Sequence, residues 1–302
     1  MGAGHGHAPA GHAGSRFRRR LAVTFALTAT FLVVELTAGL LAGSLALVSD
    51  AAHMATDVVA LGASWLATHL AVRPDTSGRR TYGHYRSEVF ASGVAVLLML
   101  GAGAYVLVEA VARVGEDPLP ETQVMVVVGL LGLAVSAVGL VLLRPGAEES
   151  LNVRGAYLEV LADAAGSVGV LVAAALVATT GVGVWDTVVG ATIGLFVLVR
   201  AWLLGRQVVS VLAQHTPAGI DPDAVAADLG AVPGVRDVHD LHLWTLTSGM
   251  NVATAHLMTS ADTDSHPVLD RAREVLAGRY GIDHATLQVE PDTHTGCHEV
   301  SW

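Results

Sequence analysis

At 302 residues, 52% hydrophobic and only 15% charged, the chain is too apolar for an ordinary water-soluble protein and reads as a polytopic membrane protein. Its formal net charge of -10 is concentrated toward the C-terminus, and with no basic patch the composition excludes a nucleic-acid binder. A single cysteine, Cys297, excludes an intramolecular disulfide and fits a tail held in a reducing compartment.

In chain order, residues 1–20 ("MGAGHGHAPAGHAGSRFRRR") lack a small-residue cleavage site after a short apolar core, so they read as a flexible arm rather than a secretion signal. His5, His7 and His12 there read either as a weak metal-gathering segment or as disorder without function. Residues 21–209 hold six apolar runs, each near the roughly 20 residues that a spanning helix needs. They are Leu21–Ala42, Leu45–Val72, Ser87–Val114, Thr122–Leu143, Val153–Thr180 and Val184–Leu204. All 17 basic residues are Arg; most of those near the apolar runs lie before the first run and between the second and third, the fourth and fifth, and after the sixth, while the alternate connections carry none apart from Arg113 at a helix end. By the positive-inside rule both termini are cytoplasmic.

Residues 210–290 change to a mixed, globular character. Asp221 is a plausible N-cap with Pro222 at the first helical position. "GVRDVHDLHLWTLT" alternates, Ser248-Gly249 marks a turn, and "MNVATAHLMT" follows as a second strand. "HPVLDRAREVLAGRYG" has helical spacing and stops at Gly281, and "HATLQVEP" alternates again. The order α-β-β-α-β predicts a small α+β domain with helices on one face of a sheet. Residues 291–302 form a His- and Cys-containing tail. The fold class is therefore six transmembrane helices with a C-terminal cytoplasmic α+β domain.

Inside the second run, "SDAAHMATD" places Asp50, His53 and Asp57 where hydrocarbon penalises them. His53 and Asp57 are four apart and share a helix face, and Glu159 and Asp163 in the fifth run repeat that spacing. At about 1.5 Å per residue, Asp57 lies roughly 18 Å from one side and Asp163 roughly 15 Å from the other. Those depths sum to about the ~30 Å hydrocarbon thickness, so the two pairs meet near the midplane. One imidazole and three carboxylates form a reasonable four-ligand set for a divalent cation. Three acids with no base among them would not stay ionised there, and a metal ion supplies the missing charge. The plain alternative, isolated polar residues satisfied by neighbouring helices, does not account for two matched pairs at one depth.

"SLALVSDAAHMATDVVALG", "RTYGHYRSEVFA", "LNVRGAYLEVLADAAGSVGVL" and "VPGVRDVHDLHLWTLTSG" resemble, in this order, the signature segments of the cation diffusion facilitator family. The resemblance covers essentially the whole chain after the arm and is closest to the bacterial zinc, cadmium and cobalt efflux branch. It implies a homodimer of six-helix protomers in the plasma membrane, in contact with lipid, each with a ferredoxin-like cytoplasmic metal-binding and dimerisation domain at residues 210–290, exporting divalent metal in exchange for protons. Zn2+ is then substrate and regulatory ligand, with no organic cofactor and no enzymatic activity. In that family the transport site is built from the pairs that match His53, Asp57, Glu159 and Asp163. By the same resemblance His239, His256 and His266 match three ligand positions of a cytoplasmic site, Glu290 a fourth, and Gln288 falls where some relatives have His. His84 matches a position that binds metal at the membrane–cytoplasm junction in some relatives, with Asp75 the nearest acidic co-ligand. Zinc-type members usually have His where this chain has Glu159; a hard oxygen there weakens discrimination against manganese or ferrous iron.

Asp50 reads either as a partner orienting the His53 imidazole or as a polar residue nearer the outer water. Glu35 and Glu109 have no i±4 partner and read as helix-packing contacts, and His69 as an interfacial residue. "HTGCHE" offers His294, Cys297 and His298 as a soft-metal cluster or a disordered end. Among rival functions, "GASW" lacks the last Gly of a serine-protease motif, no H-E-x-x-H is present, and "GVGVWD" lacks the third Gly of a dinucleotide fingerprint. A membrane metal sensor would have no need of acids at midplane depth, and a channel would lack proton coupling.

Overall fold

The computed structural model describes residues 13–71, 81–147, 151–247 and 249–293, with side chains described for 19–59, 81–147, 153–247 and 249–293. Six long helices come first: α1 Ala13–Ala42, α2 Leu45–Ala71, α3 Ser87–Ala112, α4 Thr122–Ala147, α5 Leu151–Thr180 and α6 Val184–Leu212. Among the described residues α1, α3, α4, α5 and α6 are long and apolar enough to cross a membrane. The described side chains of α2 run only from Leu45 to Val59, too short a stretch for that measure. The sixth helix extends past the expected Leu204 to Leu212, continuing through Gly205, with the first proline only at Pro217, so Arg206 lies within the helix rather than after it. Likewise α4 continues through Pro145.

The described residues divide into two compact units, 1–64 with 94–204, and 65–93 with 205–302. In the first, Phe31, Leu47, Met54, Met125, Val128 and Val170 form a core joining α1, α2, α4 and α5. Outward faces carry exposed apolar side chains such as Leu41 at 81% and Val108 at 70%, as lipid-facing helices do. Glycines let helices approach closely, as in membrane bundles. A Cβ on Gly190 of α6 would lie 2.8 Å from the Leu45 carbonyl carbon.

The start of α2 is fixed from another helix. Ser44 caps it in the ordinary way, its hydroxyl accepting from the Leu47 amide at 3.2 Å. Asp186, near the start of α6 and 1% exposed, then accepts from the Ser44 hydroxyl (2.6 Å), the Leu45 amide (2.6 Å) and the Ala46 amide (3.2 Å). Arg113, just after α3, stands 3.5 Å from Asp186 and donates to the Gly43 carbonyl at 2.9 Å. Arg113 also pairs with Glu109 at 3.0 Å, which corrects the expectation that Glu109 has no i±4 partner.

The second unit contains α7 Pro222–Gly230, β1 Val235–Thr247, β2 Met250–Thr259, α8 Ser265–Tyr280 and β3 His284–Pro291, in the expected α-β-β-α-β order. Asp221 caps α7 through the Asp223 amide with Pro222 at the first position, and Gly281 ends α8 in the left-handed region. β1 and β2 are antiparallel, while β2 and β3 are parallel across the α8 crossover. Leu243, Ala253, Ala255 and Leu257 face Val268, Ala272 and Leu276 of α8 on one side of the sheet. The opposite face is left for polar residues. The Tyr280 phenol donates to Asp228, and that bond holds it above its ordinary pKa.

Candidate transport site

His53, Asp57 and Asp163 converge. Each offers a ligand atom within 4.8 Å of the others, and all three sit in the helical unit. His53 is 2% and Asp163 5% exposed, so the cluster is shielded from bulk water. His53 Nε2 and Asp163 Oδ1 have no hydrogen-bond partner among the described groups. Buried polar atoms without partners are costly, and a cation placed between them would satisfy both. Ligand atoms around a tetrahedral zinc with bonds of about 2.0 Å lie about 3.3 Å apart, so small side-chain rotations would close the set.

The helices explain the placement. His53 and Asp57 are one turn apart, with His53 Nε2 3.9 Å from Asp57 Oδ2. The Thr56 hydroxyl donates to the His53 carbonyl at 2.6 Å, and Phe196 of α6 packs edge-on to the imidazole at 5.9 Å. Glu159 lies one turn from Asp163 but is not part of the three-residue cluster. Its Oε1 instead accepts from Arg200 of α6 at 2.9 Å.

Arg200 is the residue that sequence reasoning missed. Its guanidinium reaches Asp57 Oδ1 (3.3 Å), Asp57 Oδ2 (3.4 Å) and His53 Nδ1 (3.4 Å) as well as Glu159. The three acids therefore do have an internal base, supplied by a third helix. A signal was present: Arg200 interrupts the apolar run "GLFVLVRAWLL", and an ionisable residue inside a membrane span is a functional candidate by default.

Asp50 is fully buried, not in contact with outer water. Its carboxylate fills the space left by Gly166 of α5, where a Cβ would come within 1.9 Å of Asp50 Oδ1. Glu35 of α1 is equally buried, within hydrogen-bonding reach of Asp50. Neither carboxyl accepts a hydrogen bond from a donor among the described groups, and no described contact joins Asp50 to His53.

A second cluster occupies the polar face of the three-stranded sheet: His239, His256 and Glu290. His239 and His256 are cross-strand partners with rings 5.3 Å apart. His256 Nδ1 lies 3.2 Å and His239 Nε2 3.8 Å from Glu290, which is 5% exposed. Gln288, opposite His256 in the β2–β3 register, donates to Glu290. A bulge shapes this face. Between His239 and His242 the first strand has two residues against one on the second, with Asp240 in the left-handed region at φ 53°. The extra residue brings His239 and His242, which plain alternation would set on opposite faces, to the same face. Asp240 then reaches both His242 (3.0 Å) and His256 (3.8 Å).

His266 is not in this cluster; it lies in the first turn of α8, the helix on the opposite side of the sheet. His84 sits in the turn before α3, where its carbonyl accepts from the Ser87 hydroxyl at 2.6 Å, and no metal-competent group among the described residues includes it. Asp75, His294, Cys297 and His298, the arm histidines and the His69 side chain lie outside the described residues.

Residues 21–213 match the family model for the cation efflux transmembrane domain, and residues 217–292 match that for the cation efflux protein cytoplasmic domain. The chain is 42% identical over 293 residues to the metal cation efflux system protein CzcD of Cupriavidus metallidurans, covering 96% of this chain and 90% of that one. It is 35% identical over 306 residues to the zinc transporter ZitB of Pectobacterium atrosepticum, covering 99% and 93%. It is 32% identical over 299 residues to the cadmium, cobalt and zinc/H(+)-K(+) antiporter of Bacillus velezensis, covering 96% and 93%. Among solved structures, the metal-bound C-terminal domain of the CzcD transporter aligns at 36% identity over 24% of this chain and 99% of its own, with a TM-score of 0.23.

Proposed function

The chain belongs to the cation diffusion facilitator family of cation efflux proteins, and from that premise we propose that it exports zinc, with cadmium and cobalt also carried, in exchange for protons. One observation carries this reading: a buried imidazole and two carboxylates converge between α2, a helix of 27 residues, and α5, which is long and apolar enough to cross a membrane. Glu159 joins them as a fourth ligand once it leaves Arg200. Two of the relatives named above are by name a zinc transporter and a cadmium, cobalt and zinc antiporter, so the manganese or iron reading of Glu159 is not favoured.

The exchange follows from the donor set. His53 binds metal only through an unprotonated nitrogen, and the carboxylates bind only when ionised, so metal and protons contend for the same atoms. Helices that rock about a fixed midplane site would expose those atoms first to one side, then to the other. The protein acts as a homodimer with both termini cytoplasmic, and the His239–His256–Glu290 cluster binds zinc as a regulatory ligand. His84, and the tail residues His294, Cys297 and His298, are secondary candidates.

Flux of zinc, cadmium, cobalt and manganese into proteoliposomes, followed with a metal-sensitive dye, tests the assignment. Asp57→Ala abolishes flux of every metal, and Glu159→His shifts the preference further toward zinc over manganese. Zinc flux that survived Asp57→Ala would refute the site.

A further inference from the structure

Arg200 touches the very atoms a transported cation needs. It engages both oxygens of Asp57, one of Glu159 and the Nδ1 nitrogen of His53, all within 2.9–3.4 Å. A guanidinium cannot be deprotonated in a protein and offers only donors. The nitrogen that faces it must therefore present its lone pair, which places the proton of a neutral His53 on Nε2. In that tautomer neither nitrogen is free for metal: the Nδ1 lone pair points at Arg200, and Nε2 carries hydrogen. Moving the proton to Nδ1 would set an N–H against the guanidinium N–H groups. Both Asp57 oxygens are likewise engaged, so the guanidinium and a divalent cation cannot hold these three side chains together.

We propose that Arg200 is a built-in counter-ion that competes with the transported cation, and that loading metal requires its guanidinium to withdraw from Asp57, Glu159 and His53. The inference rests on the transport-site assignment given above. The Arg200 side chain is 26% exposed and the Glu159 side chain 40%, so on that side no neighbouring side chain walls the guanidinium in and it has room to move away. Its return neutralises the carboxylates after metal leaves, which lets the carrier reorient without uncompensated charge in the bilayer. The counter-ion thus weakens metal binding and speeds release, and its loss should trade turnover for affinity.

The test is zinc titration calorimetry on the full-length protein carrying His256→Ala, which silences the cytoplasmic cluster, with zinc flux in proteoliposomes measured on the same variants. Adding Asp57→Ala identifies the heat that belongs to the membrane site. If that heat persists, the site assignment fails, and the counter-ion role falls with it. With the assignment intact, Arg200→Gln is expected to lower the zinc Kd by about tenfold or more and to lower both KM and kcat of flux. Arg200→Lys, a point charge that cannot fork between two carboxylates, gives a Kd between the two. If Arg200→Gln does not yield folded protein, Arg200→Lys decides alone. A Kd equal to or weaker than the parent's, in whichever variant folds, overturns the proposal while leaving the site standing.

Discussion

Replacing Asp186 should loosen the start of the helix that carries His53 and Asp57. Its carboxylate, 1% exposed, satisfies two α2 amides and the Ser44 hydroxyl at 2.6–3.2 Å, with Arg113 3.5 Å away. Asp186→Ala leaves two first-turn amides without an acceptor. A hydrogen bond to a charged group contributes about 1.5–3 kcal/mol. Two such losses, offset by Arg113 keeping Glu109 and the Gly43 carbonyl, give a destabilisation of about 3 kcal/mol. Asp186→Asn keeps one acceptor oxygen and turns a donor toward the other site, so about half that cost is expected. Reversible unfolding in mixed detergent micelles, followed by far-ultraviolet circular dichroism, measures both. If both variants fell within about 0.5 kcal/mol of the parent, the usual range for a surface substitution, the cross-helix cap would carry no stability and the reasoning would be wrong.

Two further perturbations separate packing from metal chemistry. In α5, Gly166→Ala drives a methyl to within 1.9 Å of the buried Asp50 carboxylate and should cost about 1–3 kcal/mol. Gly155→Ala, with nothing within 4 Å, should instead gain about 0.5 kcal/mol; equal effects in the same unfolding assay would deny the Gly166–Asp50 fit. In the cytoplasmic domain, His256→Ala and Glu290→Gln should each lower bound zinc by one ion per chain in equilibrium dialysis, while His266→Ala leaves the count unchanged. A loss in His266→Ala would return His266 to the ligand set expected from resemblance.

What could be read before the structure was local. The i, i+4 pairs in α2 and α5, the Asp221–Pro222 start of α7 and the Gly281 stop of α8 all follow from neighbours within one turn. Arg200 stood out as an ionisable residue in an apolar run, but its partners were not legible because they are 41, 143 and 147 positions away, on two other helices. Nor was Asp186 legible as a cap for α2, since a cap is sought next to its own helix and this one is 141 residues distant from the Leu45 amide. The bulge at Asp240 hid inside a stretch that alternates apolar and polar residues, and only the pairing with β2 reveals the extra residue. Glu159 was placed by its spacing from Asp163, but spacing cannot show which of two positive partners a carboxylate takes.

The most direct test of the account is zinc flux into proteoliposomes under an imposed pH difference with equal zinc on both sides. The account predicts net zinc movement opposite to the proton gradient, abolished by a protonophore and by Asp57→Ala. Zinc flux of the same size with the pH difference collapsed, or persisting in Asp57→Ala, would contradict exchange at His53, Asp57 and Asp163.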